Sequence, residues 1–167
     1  MRTTLYLVPG PWPGRLFLSA RPRGGDWLED EFRDLSASGV HTVACLLTAE
    51  EMHDLDLETE PAVARQQGMT FLQCPIPDRE PPTRDLPFTE LVEDLDRRLA
   101  AGESVVIHCR QGIGRTGLAA AALLIAHGFD ADRATAFISQ VRGIPVPETE
   151  VQRQWLHRYA AAFAAAR

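Results

Sequence analysis

Residues 104–126 constrain the fold more than any other stretch. Ser104-Val105-Val106-Ile107 is short, apolar and β-branched, as a buried strand should be, while Leu118 to Ala126 is rich in Leu and Ala, as a helix should be. Between them, His108-Cys109-Arg110-Gln111-Gly112-Ile113-Gly114-Arg115-Thr116-Gly117 must form a strand-to-helix turn. Gly112 and Gly114 let the backbone curl with its N–H groups pointing inward, and the helix that follows adds the positive end of its dipole. An anion is favoured at the centre, so the turn reads as a phosphate pocket. Cys109 sits beside that anion, where the field that binds phosphate also favours a thiolate nucleophile, and Arg115 can fork two N–H donors onto phosphate oxygens.

A Cys followed six residues later by an Arg is weak alone, since 3 Cys and 17 Arg in 167 residues give about 0.3 chance matches. Context supplies the specificity. Cys45 and Cys74 carry Glu51 and Glu80 at the same offset, and only Cys109 has a strand before it, two glycines within and a helix after. A merely structural Cys at a strand end would leave Arg115 and Thr116 unexplained.

Elsewhere, strands and helices alternate. Thr3 to Val8 and Leu16 to Ser19 read as strands on either side of a Pro/Gly-rich turn. Asp26 is the expected N-cap of a helix through about Ala37, closed by Gly39. Val40 to Leu47 and Met69 to Cys74 are further strands. Between them, Thr48 and Glu51 form a capping box for a short acidic helix, and a second short helix is expected near Ala62 to Gln67. The prolines from Pro75 to Pro87 predict a stiff loop, and Phe88 to Ala100 an amphipathic helix with Leu91, Leu95 and Leu99 on one face. Asp130 or Asp132 opens a helix through Val141, and Glu148 opens the last one. The expected fold is α/β, a mainly parallel central sheet with helices on both faces and the phosphate turn at the carboxyl end of a strand.

At 167 residues and 45% hydrophobic content, residues 1–167 are expected to form a single domain. A net charge of −6 argues against nucleic-acid and anionic-membrane partners, though a local basic pocket is compatible with it. Three irregularly spaced cysteines do not make a disulfide framework, and the proline-interrupted N-terminus is too short for a signal or a membrane span, so a reducing cytoplasm is expected. No His/Asp/Glu cluster has metal-ligand spacing, so neither metal nor cofactor is expected.

The turn resembles the active-site loop of the cysteine-dependent protein tyrosine and dual-specificity phosphatases. The likeness extends through Leu16 to Ser19, the helical stretch after Asp26, Pro75-Ile76-Pro77-Asp78, Arg142-Gly143, and Glu148-Thr149-Glu150-Val151-Gln152 to Trp155-Leu156, in the order of the small group typified by the cyclin-dependent-kinase-associated phosphatase. It implies the phosphatase fold and hydrolysis of phosphomonoesters through a cysteinyl-phosphate intermediate. On this resemblance Cys109 is the nucleophile, Arg115 and the loop residues Arg110, Gln111, Gly112, Ile113 and Gly114 bind the phosphate, and Asp78 is the general acid. Thr116 would donate to the Cys109 sulfur, and His108 would shape the loop through backbone-directed hydrogen bonds. Gln152 matches the residue that places water in relatives, where the first Gln is here Glu148, a residue that alternatively just begins the last helix. Cys74 or Cys45 could pair with an oxidised Cys109, although each reads first as a small apolar strand residue.

The Lys found in the loop of phosphoinositide-directed relatives is absent, with Arg110, Gln111 and Ile113 in those positions, which favours phosphoprotein substrates. A phosphoinositide or inositol-phosphate phosphatase, a non-catalytic phospho-residue binding module and a sulfur-transfer enzyme are the alternatives. The oligomeric state is not encoded in any motif.

Overall fold

The computed structural model describes residues 3–167, so Met1 and Arg2 of the N-terminal reading lie outside the described residues. Five strands, β1 (Tyr6–Val8), β2 (Arg15–Ser19), β3 (Thr42–Cys45), β4 (Thr70–Gln73) and β5 (Ser104–His108), form one sheet in the order β1-β2-β5-β3-β4. β1 runs antiparallel to β2 and every other pairing is parallel, so the sheet is mixed but mostly parallel. Ser19 and Cys45 both lie in register with His108, which brings three strand ends to the level where the phosphate turn begins.

Seven helices cover the sheet: α1 (Leu28–Ala37), α2 (Ala49–Asp54), α3 (Glu60–Gln66), α4 (Asp85–Ala100), α5 (Gly114–Ala126), α6 (Ala131–Arg142) and α7 (Glu150–Ala165). The period-two alternation of the strands sorts the core into two layers. Val105 and Ile107 join Leu16, Leu18 and Ala44 under α4 to α7, while Val106 joins Phe17, Val43 and Cys45 under α1 to α3. Continuing the alternation, His108 faces the α1–α3 layer, whereas Cys109 joins the α4–α7 layer. Helix α5 is buried from Gly114 to Ile125, and past Arg115 and Thr116 in its first turn it is apolar all round, as expected of a helix enclosed by its neighbours. No helix among the described residues is long and apolar enough to cross a membrane.

Several boundaries differ from expectation, each for a local reason. Asp26 is not an N-cap: it lies in a 3-10 turn (Gly25–Trp27) that leads directly into α1 without a side-chain cap. The turn is pinned by Gly25 N–H donating to Asp56 O at 2.9 Å. Helix α4 starts at Asp85, so Pro87 falls inside its first turn, where a missing N–H costs no hydrogen bond. Asp130 is the cap of α6, accepting from Arg133 N–H. Glu148 does not open α7. Thr149 is the N-cap, in a reciprocal box with Gln152, a Thr-x-x-Gln signature readable in the sequence.

Candidate active site

The turn after β5 is shaped by where its carbonyls go. Arg142 donates from Nε to Gly112 O at 2.8 Å and from Nη2 to Gln111 O at 3.2 Å, and Arg21 N–H donates to Arg110 O at 3.2 Å. With three successive carbonyls held outward, the amide N–H groups turn inward, forming an anion-binding concavity at the start of α5. Gly112 takes a left-handed φ of +71°, and a Cβ there would lie 2.4 Å from Ser19 O. Gly114 serves differently from expectation: its φ is not left-handed, and its value is close approach, since a Cβ would sit 3.1 Å from the Gln152 amide.

A concavity of about 160 Å³ lies over the turn. It brings together Cys109, Arg110, Gln111, Gly114 and Arg115 with Asp78 and Glu148 from elsewhere in the chain, and adds Arg79, which the sequence reading passed over. Cys109 is 3% exposed at its floor. Ile113 is half-buried against the core at the head of α5, and Thr116, His108 and Gln152 lie beneath or beside the pocket. A larger groove of about 660 Å³ between α4 and α7, walled by Trp155, Tyr159 and Phe163, shares no residue with this pocket and is lined by no cysteine.

Arg115 is 1% exposed and tightly held. Its Nη1 donates to Glu51 Oε2 (2.7 Å) and Ile76 O (2.8 Å), and its Nη2 to Glu51 Oε1 (2.9 Å) and Asp78 Oδ1 (2.9 Å). Glu51 thus closes the capping box of α2 and forks onto the guanidinium with the same carboxylate. Burial pushes the Glu51 carboxyl up, but the Arg115 hydrogen bond, the Thr48 N–H and the Arg115 charge together lower it to about 2. Burial opposes the charge on Arg115 as well, and Glu51, Cys109 and Asp78 more than restore it, so its pKa is raised. The sequence reading found Glu51 only as a cap.

Asp78 sits half-exposed on the loop after β4, directed onto Arg115. That loop is tied to the start of α7: Thr149 Oγ1 donates to Arg79 O at 3.0 Å, and Gln152 Nε2 to Glu80 O at 3.1 Å. Gln152 is fully buried, its Oε1 accepting from Glu148 N–H and Thr149 N–H, so its amide joins the loop, the helix start and Gly114. Glu148 pairs with Arg79 at 2.9 Å, which offsets its charge beside an anion site. Arg110 is exposed and reaches Glu51 only at 3.4 Å.

His108 Nδ1 lies 3.3 Å from Cys109 O, the backbone-directed contact expected of it, and Nε2 lies 2.6 Å from Glu60 Oε1. The Thr116 hydroxyl is buried and has no hydrogen-bond partner among the described residues, so neither the Cys109 sulfur nor a helix amide takes it. Cys45 and Cys74 are both buried and free, and burial raises the Cys74 thiol. Among the described residues, one group, Cys45, Glu60 and His108, is compact enough to hold a metal ion, its ligand atoms within 4.8 Å of one another. Two such atoms on one zinc at about 2.1 Å would stand about 3.4 Å apart, so the 2.6 Å contact is that of a hydrogen bond.

A strand, a carbonyl-out turn and a buried Arg at the start of a helix, beneath an Asp-bearing loop, define a cysteine-phosphatase type of architecture. Residues 19–129 match the family described as Tc-R-P, polymorphic toxin system, DSP-PTPase phosphatase, and the chain belongs to that family. It is also similar to cyclin-dependent kinase inhibitor 3 of Rattus norvegicus, 27% identical over 140 residues that cover 83% of this chain and 66% of that protein. The chain therefore spans just under two thirds of the length of that relative. Among solved structures it resembles kinase associated phosphatase carrying serine in place of its catalytic-site cysteine (TM-score 0.90, 21% identity, 99% of this chain and 98% of that one). It also resembles PTPMT1 in complex with PI(5)P (TM-score 0.74, 21% identity, 90% and 93%).

Proposed function

We propose that the protein hydrolyses phosphomonoesters of phosphoproteins, phosphotyrosine and also phosphoserine or phosphothreonine, through a cysteinyl-phosphate intermediate. The observation that carries this reading is the convergence of Cys109, Arg115 and Asp78 on one small pocket at the start of α5. The Cys109 thiolate attacks phosphorus in line, the bond to the leaving oxygen breaks, and that oxygen takes its electron pair and the Asp78 proton. Loop amides and Arg115 hold the equatorial oxygens. Four of the five guanidinium N–H donors already have protein partners, so a seated phosphate takes Nε–H and competes with Asp78 for Nη2. That competition frees the Asp78 carboxyl to face the leaving group. Water then attacks phosphorus, the P–S bond breaks, and Asp78 accepts the water's proton. Thr116, with its unpartnered hydroxyl, supplies a donor to the departing sulfur. Gln152, bonded to both the loop and the helix start, holds the Asp78 loop in place, and its second amide N–H is available to place water.

The absence of Lys from the loop supports phosphoprotein substrates. A second reading, a phosphoinositide phosphatase, is favoured by the exposed Arg110 beside Arg79 at the pocket rim and by the likeness to PTPMT1. Phosphate release across phosphotyrosine and phosphoserine peptides, phosphoinositides and inositol phosphates, with Cys109→Ser as control, decides between them. Turnover of peptides that survives EDTA and vanishes in Cys109→Ser is the expected result. Binding without turnover would make the protein a phospho-residue module.

A further inference from the structure

Behind the phosphate turn, on the face of the sheet away from the pocket, lies a buried acid–base pair that the mechanism above does not use. Glu60, the first residue of α3, is 0% exposed, and His108 is 2% exposed. Their 2.6 Å contact joins α3 to the last residue of β5, immediately before Cys109. We propose that Glu60 is a positioning residue that holds His108 as an imidazolium and, through it, fixes the start of the phosphate turn and places a positive charge beside Cys109.

Three observations support this. First, the two ring nitrogens have separate partners: Nε2 faces the carboxylate and Nδ1 faces Cys109 O at 3.3 Å, and only the doubly protonated ring donates to both. Second, Glu60 Oε2 is buried with no hydrogen-bond partner among the described residues, so the side chain's hydrogen bonding is directed at the imidazole. Third, the surroundings favour the charged ring. Burial opposes it, but the Glu60 charge and hydrogen bond, with a contribution from Cys45, raise His108 well above the ordinary histidine range. The groups facing the ring are Glu60 from α3 and Cys45 from β3.

The pair as a whole is neutral, but its ends are placed differently: Nδ1 of the ring lies 3.3 Å from Cys109 O, and the carboxylate meets the other nitrogen, Nε2. The imidazolium belongs to the residue bonded to Cys109, and the carboxylate lies on its far side. Discharging Glu60 removes the counter-ion of a buried cation, and the ring then sheds its proton rather than remain charged alone. Cys109 loses the nearer positive end. This proposal rests on the reading of Cys109 as the nucleophile, but its test does not need turnover.

The decisive comparison is wild type against Glu60→Gln, which keeps the shape and can donate to Nε2 while removing the charge. Two readouts apply: imidazole 15N shifts of His108, and the rate of Cys109 alkylation by iodoacetate against pH. His108 is expected to be doubly protonated in the wild type at pH 7.5 and neutral in the variant at the same pH. The alkylation midpoint is expected to move upward, cutting the rate at pH 6 about 3- to 10-fold. An unchanged midpoint in a folded variant overturns the electrostatic role. Should the variant fail to fold, a neutral His108 in the wild type at pH 7.5 overturns the proposal and a doubly protonated one upholds it. If wild type shows no Cys109-dependent hydrolysis while both readouts behave as expected, the phosphatase reading falls and the Glu60 assignment stands.

Discussion

At Arg115 two carboxylates meet one guanidinium with different consequences. Glu51 takes the planar fork edge-on with two charge-assisted hydrogen bonds, which fixes the guanidinium plane, and Asp78 takes a single N–H that a phosphate can reclaim. Arg115→Lys keeps the charge but has no fork for Glu51 or for phosphate. We expect kcat to fall about 10²-fold or more, with weaker vanadate affinity; near wild-type kinetics would make Arg115 structural. Asp78→Asn is expected to scale with the leaving group, since general acid catalysis is typically worth about 10² to 10⁴ and matters most for basic leaving oxygens. Phosphoserine peptides should suffer most, phosphotyrosine less and an activated aryl phosphate least. Glu80→Gln and Asp85→Asn serve as comparison variants, and a larger leaving-group effect from either would move the acid assignment there.

Among the elements, the phosphate turn and the start of α7 carry the backbone demands. Gly112→Ala would force a side chain into a left-handed φ and place Cβ 2.4 Å from Ser19 O. We expect it to cost about 1–3 kcal/mol by urea melting and to depress turnover sharply. Gly128→Ala, also left-handed at φ +93° but facing open space, is expected to cost strain alone and to leave activity unchanged. An equal activity loss in both would show that the fit of Gly112 against β2 is unimportant. The turn itself was legible because strand, glycines and helix are contiguous, and Asp78 because its place after Pro75-Ile76-Pro77, directly behind a strand, matches where the phosphatase resemblance implies the general acid. Glu51 and Glu60 were not. Each has a sufficient local explanation, the first as the acid of a capping box and the second as an acidic residue in a helix's first turn. Their partners lie 64 and 48 residues away, and only the packing of α2 and α3 beside β5 brings them there. The α7 cap is legible in Thr149-x-x-Gln152, one residue beyond the expected opening at Glu148.

For the molecule as a whole, the buried ions make stability depend on pH at both ends. The folded-state pKa of Glu51 is lowered from 4.5 to about 2, so its contribution is present above pH 4.5 and is lost as pH falls towards 2. His108 has the opposite sign: its pKa is raised, so its contribution is complete below about 6.5 and fades as pH rises through the folded value. In urea melts, the advantage of wild type over Glu51→Gln is expected to be constant near neutrality and to shrink below pH 4.5. A difference independent of pH down to 2 would mean that Glu51 acts by shape alone. Modularity is limited for the same reason. The ten residues from His108 to Gly117 look like a portable cassette, yet cutting them out and splicing them between another strand and helix would carry Arg115 and His108 without Glu51 and Glu60. Arg115 would be buried without its Glu51 counter-charge and His108 without its Glu60 partner, and the recipient would open the turn to solvent rather than enclose it. The transferable unit is therefore discontinuous: the turn together with the segment 48–60 that supplies its acids.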